Sequence, residues 1–338
     1  MEGKKILITG GTGSLGQALT ARLLDMKVDT IRIFSRNEEK QVNMENKFND
    51  NRLRFVLGDI NDGERLQRAL ENIDIVFHTA ALKHVPKIEY NPFEAIKTNV
   101  IGSQNVINAC LHENVEKVIA IGTDKAVSPL NTYGATKLLM EKLFVTANNF
   151  MDPEKHRTKF ISVRYGNVFG SSGSVIPLFL EQIKKVKKIT ITDPKMTRFS
   201  VTMDDALDFI LNATNSGRGS EIFVPKMRAY NIMDLKNALC DLFENTNVEI
   251  TGIRPGEKLH EILINEDEIR YSWEHNNMYF ITNPLYPLFH VNNIKDAYNG
   301  IKKLENVKYY SSDKVERIPK AELKEMIKKI IHDTNNKE

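Results

Sequence analysis

Lys5-Ile6-Leu7-Ile8-Thr9-Gly10-Gly11-Thr12-Gly13-Ser14-Leu15-Gly16 is the stretch that decides the fold. A short apolar strand runs straight into glycines, and the glycines open a helix. Gly10, Gly13 and Gly16 stand three residues apart, a G-x-x-G-x-x-G spacing. Glycines permit the tight turn and let a ligand approach the backbone. The helix start then offers N–H donors and the positive end of its dipole to a pyrophosphate. Thr12, Ser14 and Leu15 share the turn and join the glycines as candidate cofactor contacts. Glycine spacing alone is weak evidence; its place between strand and helix gives it weight.

Working outward, the first half alternates strand and helix. Short β-branched, apolar runs fall at 5–9, 30–34, 53–57, 75–78 and 118–121, as in strands buried on both faces. Helical patterns fall between and after them at 14–26, 38–48, 63–71, 93–112 and 133–150. This predicts an α/β fold, a Rossmann-type doubly wound parallel sheet, with ligands beyond the carboxyl ends of its strands. After Arg164 the pattern is irregular: a loop at 170–173, helices at 175–187, 203–215 and 232–244, and strands at 189–192 and 221–224. The reading is a cofactor domain over 1–166, with 200–230 returning to it, and a smaller discontinuous substrate lobe from 167–199 and 231–300. Residues 301–338 are charged and read as a surface helix with a frayed tail.

Composition narrows the class. The 338 residues are 41% hydrophobic and 27% charged, with net charge +3. Such a balanced surface does not argue for nucleic acid or a membrane surface. Cys110 and Cys240 lack metal-ligand spacing and read as small core residues, so no metal site is expected. No signal peptide and no apolar run near the roughly 18 residues of a bilayer span is present. A cytoplasmic protein is expected.

The end of the second strand bears on the nucleotide. NAD binders usually place a carboxylate there; this chain has Phe34-Ser35-Arg36-Asn37 and then Lys40. Ser35, Arg36 and Lys40 suit a 2′-phosphate and favour NADP. Asp59 and Ile60 follow strand three and are expected beside the adenine. Ala80, Ala81 and Lys83 follow strand four and are expected along the phosphates and ribose. On the helix after strand five, Tyr133 and Lys137 stand one turn apart and share a face. A phenol beside an ammonium is a candidate base for a hydroxyl proton. Asp124 and Lys125 precede them as an additional acid and base.

These segments, with Ala80-Ala81-Leu82-Lys83-His84-Val85-Pro86, Arg164-Tyr165-Gly166-Asn167-Val168, Met196-Thr197-Arg198-Phe199 and Arg254-Pro255-Gly256-Glu257-Lys258-Leu259-His260-Glu261, cover roughly 4–284. Together they resemble the extended short-chain dehydrogenase/reductases, and within them the inverting UDP-N-acetylglucosamine 4,6-dehydratases of the pseudaminic-acid pathway. The resemblance implies a lyase that keeps NADP tightly bound and regenerates it each turnover, acting on UDP-N-acetylglucosamine as a homodimer or higher homo-oligomer. It implies that Tyr133, supported by Lys137, takes the C4 hydroxyl proton, Lys125 the C5 proton, and that Asp124 protonates the departing C6 hydroxyl. Burial beside Lys137 is expected to lower the basicity of Lys125. Lys83, Thr123, Asn167, Arg198, Arg254 and Glu257 are the implied substrate contacts, and Val168 a nicotinamide contact. A 4-epimerase, a C5-retaining dehydratase and a non-catalytic NADP-binding sensor or scaffold stay as alternatives.

Overall fold

The computed structural model describes residues 1–152, 154–171, 173–243, 246–283 and 294–335. Six parallel strands form its centre: β1 (Lys5–Thr9), β2 (Thr30–Ser35), β3 (Leu53–Leu57), β4 (Ile75–His78), β5 (Lys117–Ile121) and β6 (Lys159–Val163), in the order β3-β2-β1-β4-β5-β6. The order reverses between β1 and β4, and there a doubly wound sheet leaves its crevice. Residues such as Ile6, Leu7 and Ile8 are wholly buried because helices cover both sheet faces, which is why these strands read as continuous apolar runs.

Beyond β6 the sheet continues. Strand Ile222–Pro225 adds parallel to β6, as expected for a segment returning to the sheet. The hairpin Ser272–His275 and Met278–Ile281 then adds antiparallel. These hairpin residues were expected in the smaller lobe; Phe280 packs on Phe223 instead, and the pairing extends the large sheet. The helix expected at 93–112 is divided into Pro92–Ile96, a π-helical turn Lys97–Ile101 and Gly102–His112. In the widened turn, buried Asn99 bonds the N–H and C=O of Leu82, which lies beside the cleft.

A separate buried cluster is formed by Ile176, Phe179 and Ile183 of helix Val175–Val186 and Leu235 and Leu239 of helix Ile232–Cys240. The expected end of the latter helix at residue 244 lies outside the described residues. Helix Lys320–Asn335 is not a mere surface helix: Leu323 and Ile327, one turn apart, are fully buried in this core. The expected tail at 336–338 lies outside the described residues. Cys110 is buried and Cys240 half-buried, both free.

Fully buried Arg164 follows the end of β6 and ties a helix to the segment that leads into the hairpin. Its guanidinium donates to Glu141 of helix Thr132–Ala147 and to Glu268, at 2.9 and 3.0 Å, beyond β6. Among the described residues no helix is long and apolar enough to cross a membrane.

Candidate active site

A cleft of about 940 Å³ opens beyond the carboxyl ends of β1, β4, β5 and β6. Gly10, Thr12, Gly13, Ser14, Leu15 and Gly16 form one wall. Gly10 turns with φ +66° against Ala80, whose Cα would sit 2.7 Å from an added Cβ. Helix Ser14–Leu24 begins at Gly13 with no side-chain cap and no acidic residue in its first turn. Its first N–H groups and dipole thus face the cleft uncompensated, which suits the pyrophosphate of a dinucleotide.

Ala80, Ala81, Lys83 and Lys40 also line the cleft, and burial lowers the Lys83 ammonium's pKa. Four expected cofactor residues lie outside the lining. Ser35 is buried with its hydroxyl accepting from Gln41 Nε2 at 3.0 Å. Ile60 is buried against Gly102, so only its backbone can face a ligand. Arg36 and Asp59 pair with each other at 3.3 Å, Arg36 exposed and Asp59 half-buried.

The reacting groups meet in a tight turn after β5. Thr123 caps the short turn Asp124–Ala126, accepting from the Lys125 N–H. Helix Thr132–Ala147 then presses onto this turn: an added Cβ at Gly134 would lie 2.2 Å from the Lys125 carbonyl oxygen. That approach requires glycine, and it sets Tyr133 beside the Asp124–Lys125 pair. Tyr133, Lys137, Lys125, Thr123, Asn167 and Val168 all line the cleft; Asp124 lies just beneath, fully buried.

Asp124 Oδ1 accepts from Thr123 Oγ1 at 2.9 Å and Lys125 Nζ at 3.0 Å; Oδ2 is buried without a partner among the described residues. Lys125 Nζ also donates to Asn167 Oδ1 at 3.2 Å and lies 3.8 Å from Glu261. Burial pulls the basicity of Lys125 down, but Asp124 and Glu261 outweigh burial and hold its pKa above the ordinary lysine value. Lys137 is the depressed one: burial brings it down to about 8, with Glu141 partly opposing. Its Nζ donates to the Ile121 carbonyl at 2.6 Å. Tyr133 is raised by burial, while the charge of Lys125 and a hydrogen bond with Thr123 pull it down and Asp124 pushes it up.

Of the expected substrate cations, Lys83 lines the cleft and Arg198 and Arg254 lie off its lining. Arg198 is buried, donating to the Thr197 and Leu259 carbonyls and lying 3.5 Å from Glu257 and 3.8 Å from Glu261. Arg254 is exposed on the following loop, and its N–H, not its guanidinium, meets Glu257 at 3.4 Å. That loop is tied to the reacting turn. Asn131 Oδ1 caps the Tyr133 helix at the Gly134 N–H, while its Nδ2 donates to the Gly256 carbonyl, both at 2.8 Å. Lys258 Nζ donates to the Val127 carbonyl. Glu261, Lys258, Tyr230 and Asn131 were not singled out from sequence as site residues. Glu261 stood in the quoted Arg254 segment, but nothing local marks it as a neighbour of Lys125. Among the described residues no His, Cys, Asp and Glu cluster could hold a metal.

The strand order, the uncapped glycine turn and the Tyr133–Lys137 helix over one cleft define an extended short-chain dehydrogenase/reductase architecture. The profile of the polysaccharide biosynthesis protein family matches residues 6–283, and the chain belongs to that family. It is 49% identical over 282 residues to a UDP-N-acetylglucosamine 4,6-dehydratase (inverting) of Campylobacter jejuni subsp. jejuni serotype O:23/36, covering 83% of each chain. A Rickettsia massiliae protein named UDP-glucose 4-epimerase is 41% identical, covering 96% of this chain and 95% of its own. The X-ray structure of Pen from Bacillus thuringiensis superposes with a TM-score of 0.88 at 40% identity, covering 97% of this chain and 98% of that one.

Proposed function

We propose that this protein is an NADP-dependent, C5-inverting 4,6-dehydratase of UDP-N-acetylglucosamine. The observation that carries the proposal is the Asp124–Lys125 ion pair, 3.0 Å across, beside Tyr133 at the cleft. Hydride exchange at C4 alone needs Tyr133 and Lys137; an additional adjacent acid and base are what removal of water needs. A bound nicotinamide supplies the hydride acceptor for C4 and the donor for C6.

The chain's own residues handle the protons. Tyr133 takes the C4 hydroxyl proton, and the ketone that results acidifies the C5 proton. Elimination then needs neutral Lys125 and protonated Asp124. The resting pair holds the right number of protons in the other arrangement, ammonium and carboxylate. One proton crossing 3.0 Å from Nζ to Oδ1 converts it. Lys125 then takes the C5 proton, the C5–H electrons form the C5–C6 double bond, and the C6–O bond breaks as Asp124 protonates the oxygen. Water leaves and the ion pair returns. With the hydride that the bound nicotinamide would return to C6, protonation of C5 on the opposite face gives the L-arabino 4-keto-6-deoxy sugar.

NADP is favoured over NAD because Arg36 and Lys40 flank the end of β2. The Arg36–Asp59 pair, exposed at Arg36, is worth about 0–1 kcal/mol, little enough for a 2′-phosphate to displace. Arg198 and Arg254 serve the diphosphate, the latter with its guanidinium exposed. A homodimer is proposed through the exposed apolar residues Phe93, Ile96, Ile101 and Leu139 on adjoining helices, checked by light scattering.

The full-length similarity to the Rickettsia protein named UDP-glucose 4-epimerase favours a second reading, 4-epimerisation. That reaction has no use for Asp124 and Lys125. Incubation with UDP-N-acetylglucosamine followed by proton NMR separates the two. A C6 methyl doublet supports dehydration; a 4-epimer without a methyl signal refutes it.

A further inference from the structure

Glu261 is 3% exposed and held by its backbone, its N–H donating to Ser312 Oγ at 2.9 Å and its carbonyl accepting from the Ser312 N–H at 2.8 Å. Its carboxylate is poorly satisfied. Oε1 stands 3.8 Å from both Lys125 Nζ and Arg198 Nε, and Oε2 is buried without a hydrogen-bond partner among the described residues. Leaving a buried carboxylate oxygen unpaired is costly, and a purely structural residue would gain by an apolar side chain instead. Here one carboxylate is shared between the lysine expected to take the C5 proton and the arginine expected near the diphosphate.

The geometry points to Glu261 as a positioning residue for the elimination, its carboxylate fixing Lys125 Nζ where the C5 proton is taken. This rests on the function proposed above. Before elimination Lys125 is neutral and Asp124 protonated; afterwards they are ammonium and carboxylate. A fixed anion 3.8 Å from Nζ favours the ammonium in the resting pair as well as after the C5 proton has arrived, so what it adds to the step is a fixed position for Nζ. The charge environment of Lys125 is otherwise set by Asp124 in its own turn, Arg198 and Tyr230 on neighbouring strands, Tyr133 on the helix and Lys258 on the loop. Of these, Asp124 and Glu261 are the anions, and both favour the Lys125 ammonium.

Glu261→Gln removes the charge and keeps the shape. NMR titration of the Lys125 amine, assigned by its loss in Lys125→Arg, reads the effect without turnover. Losing a neighbouring anion disfavours the ammonium, so the midpoint should fall by about 1–3 pH units. The turnover plateau should fall on the order of 10²-fold through misplacement of Nζ. Glu261→Asp keeps the charge but retracts it, and its midpoint should lie between the two; it carries the test if the Gln variant does not fold. An unmoved Lys125 midpoint in either folded variant overturns the role of Glu261. Absence of a 6-deoxy-4-keto product from the unaltered enzyme would instead overturn the proposed function, leaving the titration to be judged separately.

Discussion

Lys137→Met should make the ligand-free protein more stable at neutral pH while abolishing turnover. Lys137 is 4% exposed, and burial lowers its pKa from 10.5 to about 8. A depression of about two to three units corresponds to about 3 kcal/mol of penalty on the charged form. The sign follows from proton binding. Between pH 8 and 10.5 the unfolded chain holds the lysine proton more firmly than the folded chain, so wild-type stability rises with pH across that window. The whole penalty is present below pH 8 and gone above 10.5. Methionine carries no such charge. Its cost is the Ile121 carbonyl left without the 2.6 Å donor, about 1–3 kcal/mol. The variant should therefore gain up to about 2 kcal/mol at pH 7. That advantage should shrink and reverse toward pH 10.5. Urea denaturation of both proteins between pH 6.5 and 10.5 measures it. A difference that does not change with pH would refute the reasoning, because no depressed titration would then be present.

Further outcomes follow from the same contacts. Asn131→Asp keeps the acceptor that caps the Tyr133 helix and replaces the donor to Gly256 with an oxygen; helicity by circular dichroism should be unchanged while kcat falls about tenfold or more through misplacement of the reacting turn. Arg164→Met strands Glu141 and Glu268 and should cost about 3–5 kcal/mol in urea denaturation, less at low pH where the carboxyls can protonate. Arg36→Ala should weaken NADP binding and leave NAD binding nearly unchanged, measured by calorimetry with both nucleotides.

The parts of the fold that were legible are those in which local pattern and tertiary role agree. β1 to β5 are short apolar runs because both sheet faces are covered, and burial alone writes them into the sequence. The hairpin 272–281 is partly exposed and mixes Ser, Glu and His with aromatics, so its membership of the large sheet depends on pairing with a strand distant in sequence. The charges of the last helix obscured Leu323 and Ile327, whose burial depends on a groove made by helix Ile232–Cys240.

Within the site, spacing along one helix brought Tyr133 and Lys137 to the same cleft, and the Asp124–Lys125 pair was readable as neighbours. The charge state of Lys125 was not. It depends on Asp124 and on Glu261 together, and only the folded chain brings Glu261 within 3.8 Å. Arg198 likewise reads as a free cation in sequence, whereas the fold buries it between Glu257 and Glu261.

The most direct test of the elimination assigned to Asp124 and Lys125 is the reaction of UDP-N-acetylglucosamine in D₂O, followed by NMR of the product. The account predicts a C6 methyl group, deuterium at C5 and the L-arabino configuration, all lost in Lys125→Ala. A product that keeps its C5 proton, or one that retains the D configuration, would contradict it.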